Sequence, residues 1–339
     1  MINIGLYGIN GHQLSPVLPS AVRGRVTAVA GYPAGRLDEA LGVGTSERRA
    51  VREYGTLDEM LADPEVELIS LCSPRRVDQP AEALRCLHAG KHVLAEKPGA
   101  FTDAQFDELL DAARQAGREF REMLDHSMLE PNVRAIRRLV EEGALGTIVQ
   151  VQAQKSYPWF DGRPRDFDTD GGLIRQAGIH ATRFIIGATG LKIVEVSAAG
   201  TSLGNPGVGQ MHMAAVVSMT LENGALAALS LNYLNPANFG SWGNEHLRVH
   251  GTRGMAESVD GFRCHRLFLP NRESTELPLS KDVSTSYLEH YVNFLLDGTP
   301  FPTRRDEEIA ALRAVIAAHE AALTGGRVKV RGLTPHLHP

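Results

Sequence analysis

The sequence predicts an α/β fold in two parts: a parallel sheet wrapped by helices, then an α+β part built on one large, mostly antiparallel sheet. Three observations lead there. The first 120 or so residues alternate short apolar runs with segments of helical period, the pattern of parallel strands joined by helices. Beyond residue 146 apolar residues recur at every second position, and Asn223-Gly224 separates two such runs, the strongest short-range hairpin signal. A chain of 339 residues is also longer than one typical domain. The boundaries expected are 1–122, 123–331 and an irregular tail over 332–339.

The elements follow in order. INIGLYG (2–8) and VTAVAG (26–31) read as strands, LDEMLAD (57–63) as a helix stopping near Pro64, and VELISLCSP (66–74) as a third strand. PAEALRCLHAG (80–90) is a helix closed by glycine, KHVLAEKP (91–98) a fourth strand, and TDAQFDELLDAARQAG (102–117) an amphipathic helix. PNVRAIRRLVEEGALG (131–146) is another helix with a glycine stop. TIVQVQAQKSYPW (147–159), the hairpin in MHMAAVVSMTLENGALAALSLNYL (211–234), the pair in HLRVHGTRGMAESV (246–259) and LFLPNRESTELPL (267–279) alternate in period two. DEEIAALRAVIAAHEAALTGG (306–326) is helical and RVKV (327–330) strand-like.

Composition narrows the function. Hydrophobic residues make up 43% and charged residues 22%, as in soluble globular proteins. A net charge of −5 without a block of like charges argues against a nucleic-acid surface. No apolar run is long enough to span a bilayer. MINIGLYGIN lacks the basic and apolar regions of a signal peptide. Cys72, Cys86 and Cys264 are few and scattered, as expected of reduced core thiols in the cytoplasm. No metal is expected: Asp161, Asp166, Asp168 and Asp170 lack the glycine and closing glutamate of a calcium loop.

In a parallel sheet, ligands bind beyond the carboxyl ends of the strands. Gly8, Ser73 with Pro74, and Glu96 with Lys97 all fall at such ends. A dinucleotide loop wants G-x-G-x-x-G, so that the backbone turns tightly and approaches a pyrophosphate. Here the stretch is GINGHQ: Gly8 fits, Asn10 and Gln13 replace the second and third glycines, and Gly11 lies between. Asn tolerates a left-handed backbone, so Gly8, Ile9, Asn10, Gly11 and His12 form the candidate phosphate loop. Gly31 and Tyr32 end the second strand where a carboxylate would hold the ribose, and Arg36 follows. An arginine there suits a 2′-phosphate and favours NADP over NAD; a solvated helix residue is the commoner fate of a lone arginine.

With AEKP (95–98) in place, the chain resembles the Gfo/Idh/MocA family of NAD(P)-dependent oxidoreductases from about residue 2 to about residue 331. The stretch LADPEVELISLCSPRRVDQPAEALRCLHAGKHVLAEKPGAFT carries the likeness, with echoes in LVEEGALGTIVQVQA, DGGLIRQAGIH, HGTRG and FLLDGTPFPTRRDEEIAALRAVIAAHEAALTGGRVKV. The resemblance implies a Rossmann-like first domain and a sugar, inositol or related polyol as substrate. It also implies a homodimer or homotetramer assembled through the second sheet. The family's E-K-P lysine maps to Lys97, and its G-G-x-x-x-D-x-G-x-H to Gly171, Gly172, Gln176, Gly178 and His180. Lys97 would hold the substrate oxygen and His180 would move its proton, the two meeting across a cleft; histidine suits the task because it titrates near working pH. Lys155, Tyr157, Trp159 and Arg163 would edge the substrate pocket. Gln176 replaces an aspartate, Met128 stands for a frequent arginine, and Arg183 for another aspartate. Glutamine cannot accept a proton. Two rival readings follow: a redox-silent binding or regulatory protein, or an epimerase, lyase or glycosidase that keeps tightly bound NAD(P).

Overall fold

Ile2, Ile4 and Leu6 alternate along the first strand and point into one hydrophobic cluster, the period-two signature of a strand. The computed structural model describes residues 1–14, 23–33, 51–123, 127–206, 209–279 and 286–332. Arg36 and residues 333–339 of the tail lie outside them. Two compact units emerge, the first comprising Met1–Asp125, Phe167–Gly171 and Ser284–Pro302, the second His126–Asp166, Gly172–Val283 and Thr303–Pro339. Among the described residues the α-helices are α1 (Leu57–Leu61), α2 (Gln79–His88), α3 (Asp103–Ala116), α4 (Pro131–Glu141), α5 (Phe167–Asp170), α6 (Leu173–Thr189), α7 (Tyr287–Asp297) and α8 (Arg305–Thr324).

In the first unit, β1 (Ile2–Tyr7), β2 (Gly24–Ala30), β3 (Arg52–Tyr54), β4 (Leu68–Leu71), β5 (His92–Ala95) and β6 (Phe120–Glu122) form a sheet in the order β3-β2-β1-β4-β5-β6. Every pairing is parallel. β3 and β6, three residues each, were not anticipated; so short a run shows no period. Ile2, Ile4 and Leu6 pack with Tyr287, Leu288, Tyr291 and Val292 of α7. On the opposite face, a Cβ on Gly5 would lie 2.9 Å from the Met60 sulfur of α1. Helices therefore cover the sheet on both sides. The Tyr291 hydroxyl donates to the Val93 carbonyl at 3.2 Å, and the Arg121 guanidinium lies 4.3 Å from the Phe301 ring centroid. These ties draw Ser284–Pro302 into the first unit, so the boundary expected at residue 122 is crossed again late in the chain.

The second unit holds β7 (Ile148–Ser156), β8 (Ile193–Thr201), β9 (Ala214–Leu221), β10 (Leu226–Asn232), β11 (His246–Gly251), β12 (Gly254–Val259), β13 (Cys264–Phe268), β14 (Thr275–Glu276) and β15 (Arg327–Lys329). Their order is β14-β13-β12-β11-β7-β10-β9-β8-β15. The pairings are antiparallel except β7 with β10. The Asn223-Gly224 hairpin forms as expected: Gly224 has φ +87°, and Asn223 Oδ1 accepts from the Ala225 amide at 3.0 Å. β8 was not anticipated, because its small residues (SAAG, 197–200) blur the apolar alternation.

Alternate residues of this sheet, among them Val151, Val217, Met219 and Leu229, are buried beneath α6 and α8. α6 is buried along its whole length, as expected of a helix apolar all round. Among the described residues the opposite face is open. Val216 and Leu226 are 60% and 58% exposed there, and Val216 lines a groove of about 650 Å³ with Gln152, Ser218, Ser230 and Arg248. Among the described residues no helix is long and apolar enough to cross a membrane.

Candidate active site

In the first unit the candidate residues begin where β1 ends. Gly8 has φ +68°, and a Cβ there would lie 2.1 Å from the Cys72 carbonyl oxygen at the end of β4. Gly11 has φ +105°, and its Cβ would lie 2.8 Å from Glu96 Oε1 and 2.9 Å from Arg76 Nη2. The left-handed turns fall on these two glycines and not on Asn10, which corrects the expected role of that residue. Asn10 instead ties the loop down. Its amide donates to the Thr169 and Pro74 carbonyls at 2.7 and 3.2 Å, and its own carbonyl accepts from Arg76. Gln13 acts likewise. Its amide nitrogen donates to the Gly8 carbonyl at 2.9 Å, and its oxygen accepts from the Leu14 amide at 2.9 Å and from the Ser70 hydroxyl. Side-chain hydrogen bonds thus replace the lost glycines as the means of shaping the turn.

Beneath the loop lies a buried polar network. Glu96 is 1% exposed. Its Oε1 is 3.0 Å from His12 Nδ1 and 3.8 Å from Lys97 Nζ. Burial pushes the Glu96 carboxyl up, but the charge of Lys97, the hydrogen bond and charge of His12 and the charge of Arg76 outweigh it and hold the group below its ordinary range. Arg76, also buried, reaches Gln79 Oε1 at 2.7 Å. The Gln79 amide donates to the carbonyls of Glu96 and Pro98, the latter at 3.0 Å. Gln79 Oε1 accepts from the Ser73 amide at 3.3 Å. Lys97 is buried and its peptide bond to Pro98 is cis. The structure therefore brings Gly8, Ile9, Asn10, Gly11, His12, Ser73, Pro74, Glu96 and Lys97 together at the carboxyl edge of the parallel sheet. Gly31 and Tyr32 follow β2, and burial pushes the Tyr32 phenol up. Close packing against Cys72, Glu96 and Arg76 requires glycine at 8 and 11, and a tight glycine turn after the first parallel strand is the setting in which a pyrophosphate binds.

The remaining candidate residues lie mostly on the second unit. Gly171 and Gly172, with φ +98° and +85°, precede α6. Gln176 and His180 stand one turn apart on α6, both buried. His180 Nδ1 is 2.8 Å from the Ser127 hydroxyl oxygen. Tyr157 meets the His180 ring edge-on at 6.4 Å and the Trp242 ring at 6.2 Å. Trp159 meets Tyr233 at 6.0 Å, and the Arg163 guanidinium lies 4.0 Å from the Tyr233 centroid. Lys155 is ion-paired with Glu245, with its ammonium 5.0 Å from the Tyr157 centroid. The four residues expected at the substrate edge thus share one aromatic cluster, and the Lys155 ammonium is already engaged within it. Asp168 pairs with Arg75 at 3.0 Å in the first unit.

Arg76, Gln79, Ser127 and Trp242 were missed from the sequence. Arg76 and Gln79 stand in SPRRVDQP, directly after a strand end, but such residues are usually exposed. Ser127 lies 53 positions before His180, and nothing local marks it.

A parallel sheet in this strand order, with a glycine turn after its first strand, defines the dinucleotide-binding class of α/β folds. Residues 4–123 match the model of the oxidoreductase family with an NAD-binding Rossmann fold. Residues 133–257 match the GFO/IDH/MocA C-terminal domain. The chain belongs to the Gfo/Idh/MocA family of oxidoreductases. It is 30% identical over 217 residues to the uncharacterized oxidoreductase YrbE of Bacillus subtilis, covering 60% of this chain and 59% of that one. It is 27% identical over 295 residues to the trans-1,2-dihydrobenzene-1,2-diol dehydrogenase of Mus musculus, covering 83% and 81%. Among solved structures, an oxidoreductase from Thermotoga maritima matches with a TM-score of 0.84 and 25% identity, over 97% of this chain and all of that one.

Proposed function

We propose that this protein is an NAD(P)-dependent dehydrogenase acting on a CH–OH group of a sugar, inositol or related polyol. The observation that carries the reading is the buried Glu96–Lys97 pair beside a glycine turn fit for a dinucleotide. Gly8, Asn10, Gly11 and His12 would hold the pyrophosphate, and Ser73 and Pro74 would border it. The nicotinamide, when bound, supplies the hydride chemistry. Lys97 holds the substrate oxygen and stabilises negative charge as it develops. His180, oriented by Ser127, takes the hydroxyl proton. Gln176, one turn away, hydrogen-bonds a substrate hydroxyl. The Mus musculus relative's name specifies a trans-1,2-diol, a unit that sugars and inositols repeat, and the aromatic and cationic groups around Tyr157 suit the same chemistry. The lack of a carboxylate at Gly31 and Tyr32 favours NADP. Cys72, Cys86 and Cys264 are free thiols, in keeping with a cytoplasmic protein. The bare sheet face favours a homodimer or homotetramer.

Gln176, in place of a carboxylate, favours a second reading. In it the cofactor stays bound through a transient oxidation, as in an epimerase, lyase or glycosidase, or turnover is lost. Mixing the protein with NADP and NAD separately, and following nicotinamide fluorescence and protein melting, tests the main reading. A shift with neither cofactor rejects it. Cofactor that co-purifies, without net redox turnover of polyols, selects the second.

A further inference from the structure

Trp242 and Phe160 are large apolar side chains left open to water, 54% and 42% exposed, with ring centroids 5.7 Å apart. Their setting is built. Asn235 Nδ2 donates to the Trp242 carbonyl at 3.1 Å, and Asn235 Oδ1 accepts from the Ser156 hydroxyl at 2.8 Å. The Asn244 amide donates to the Ser156 carbonyl at 3.2 Å, and the Gln154 side chain donates to the Asn244 carbonyl at 3.0 Å. Asn235 and Ser156 are themselves buried. A fixed segment that holds two aromatic rings in water marks a surface that something covers.

The rings continue inward: Trp242 touches Tyr157 and Tyr157 touches His180, with centroids 6.2 and 6.4 Å apart. Tyr157 neighbours both His180 and Trp242, so a group packed on Trp242 and Phe160 lies next to a ring held at Tyr157. Cations are interleaved, with Arg163 5.0 Å from the Phe160 centroid and Lys155 beside Tyr157. Aromatic faces are electron-rich and attract the weakly positive C–H face of a pyranose. The Arg163 guanidinium beside Phe160 suits its hydroxyls.

We propose that the substrate is a glycoside: the oxidised ring lies at Tyr157 and His180, and a second sugar ring packs on Trp242 and Phe160, with Trp242 the chief determinant of that preference. The assignment of the oxidised ring rests on the function proposed above. The test compares kcat and KM for D-glucose and D-xylose with those for cellobiose, maltose and xylobiose, in the natural protein, Trp242→Ala and the conservative Trp242→Phe. The natural protein should prefer at least one disaccharide over its parent sugar. Trp242→Ala should cut that preference by about tenfold, chiefly through KM, and Trp242→Phe should restore most of it. A natural preference for the free sugars, or the same preference in Trp242→Ala, overturns the proposal. So does an altered sedimentation coefficient in Trp242→Ala, which would assign the patch to a second copy of the chain. If cofactor binds but no sugar turns over, the redox reading fails separately, and saturation-transfer NMR on the same disaccharides decides. Signals lost in Trp242→Ala and kept in Trp242→Phe support the second-ring site; no signal, or an equal one, removes it.

Discussion

The hydroxyl oxygen of Ser127 lies 2.8 Å from Nδ1 of His180, and both residues are buried. A partner at one ring nitrogen decides which face of the imidazole is left for chemistry. Ser127→Ala should therefore lower kcat about tenfold with little change in KM, and should shift the pH profile of kcat/KM. His180→Ala should lose about 10²–10⁴-fold, the range for a general base. Equal pH profiles for the natural protein and Ser127→Ala would show that the serine only packs.

Lys97→Met should reduce kcat/KM by about 10²–10³-fold, as for loss of one charge-stabilising donor, while the melting shift with cofactor persists. Glu96→Gln removes the carboxylate that faces Lys97 and lies against His12. Breaking a buried pair costs about 3–5 kcal/mol, so urea denaturation should reveal a loss of that order. Unchanged stability would mean that Glu96 is not what stabilises the buried Lys97 and Arg76.

Gly11→Ala places a methyl group 2.8 Å from the Glu96 carboxylate at φ +105°. Backbone strain of this kind costs about 1–3 kcal/mol, and the cofactor-induced melting shift should disappear. Asn10→Gly restores the second glycine of the fingerprint yet removes the hydrogen bonds to Thr169 and Pro74. It should weaken cofactor binding, and tighter binding would refute the tethering role assigned to Asn10.

Why the fold was so legible, and the site only in part, follows from these residues. Long elements announce themselves through period, as in the strands flanking Asn223-Gly224, and the short buried β4 and β5 through unbroken apolar runs before turn residues. The glycine loop shows a different case. Asn10 and Gln13 read as damage to a motif, because a sequence cannot display hydrogen bonds to Thr169 and Ser70, which lie far along the chain. Ser127 beside His180, and Trp242 beside Tyr157, are likewise products of tertiary packing. The return of α7 to the first sheet left no local trace either, since an amphipathic helix does not name the surface it covers.

His92 Nδ1 accepts the Glu119 amide at 3.0 Å, and burial, helped by the Arg118 charge, depresses its pKa to about 4. A lowered folded-state value means stability that is complete above the ordinary range near 6.5 and is lost as pH falls toward 4. Solvent at the open edge of the ring reduces the effect to on the order of 1–2 kcal/mol at pH 4.5. Melting curves between pH 7.5 and 4.5 should show this loss in the natural protein. His92→Gln, which keeps an acceptor but does not titrate, should show a flatter slope.

Val216 and Leu226 expose apolar side chains on the bare sheet face. The natural protein should be a homo-oligomer by light scattering at micromolar concentration. Val216→Arg with Leu226→Arg should yield monomers that stay folded. A natural monomer would remove the assembly proposal.

Helix α7 closes one side of the first sheet with residues 287–297, which the ribosome makes long after β1. Until then Ile2, Ile4 and Leu6 of the nascent chain have no permanent cover on that side. A fragment cut near residue 123, where sequence likeness to the nucleotide-binding family model ends, would carry the same open wound, so truncation there should produce an aggregating stub rather than an isolated cofactor-binding module.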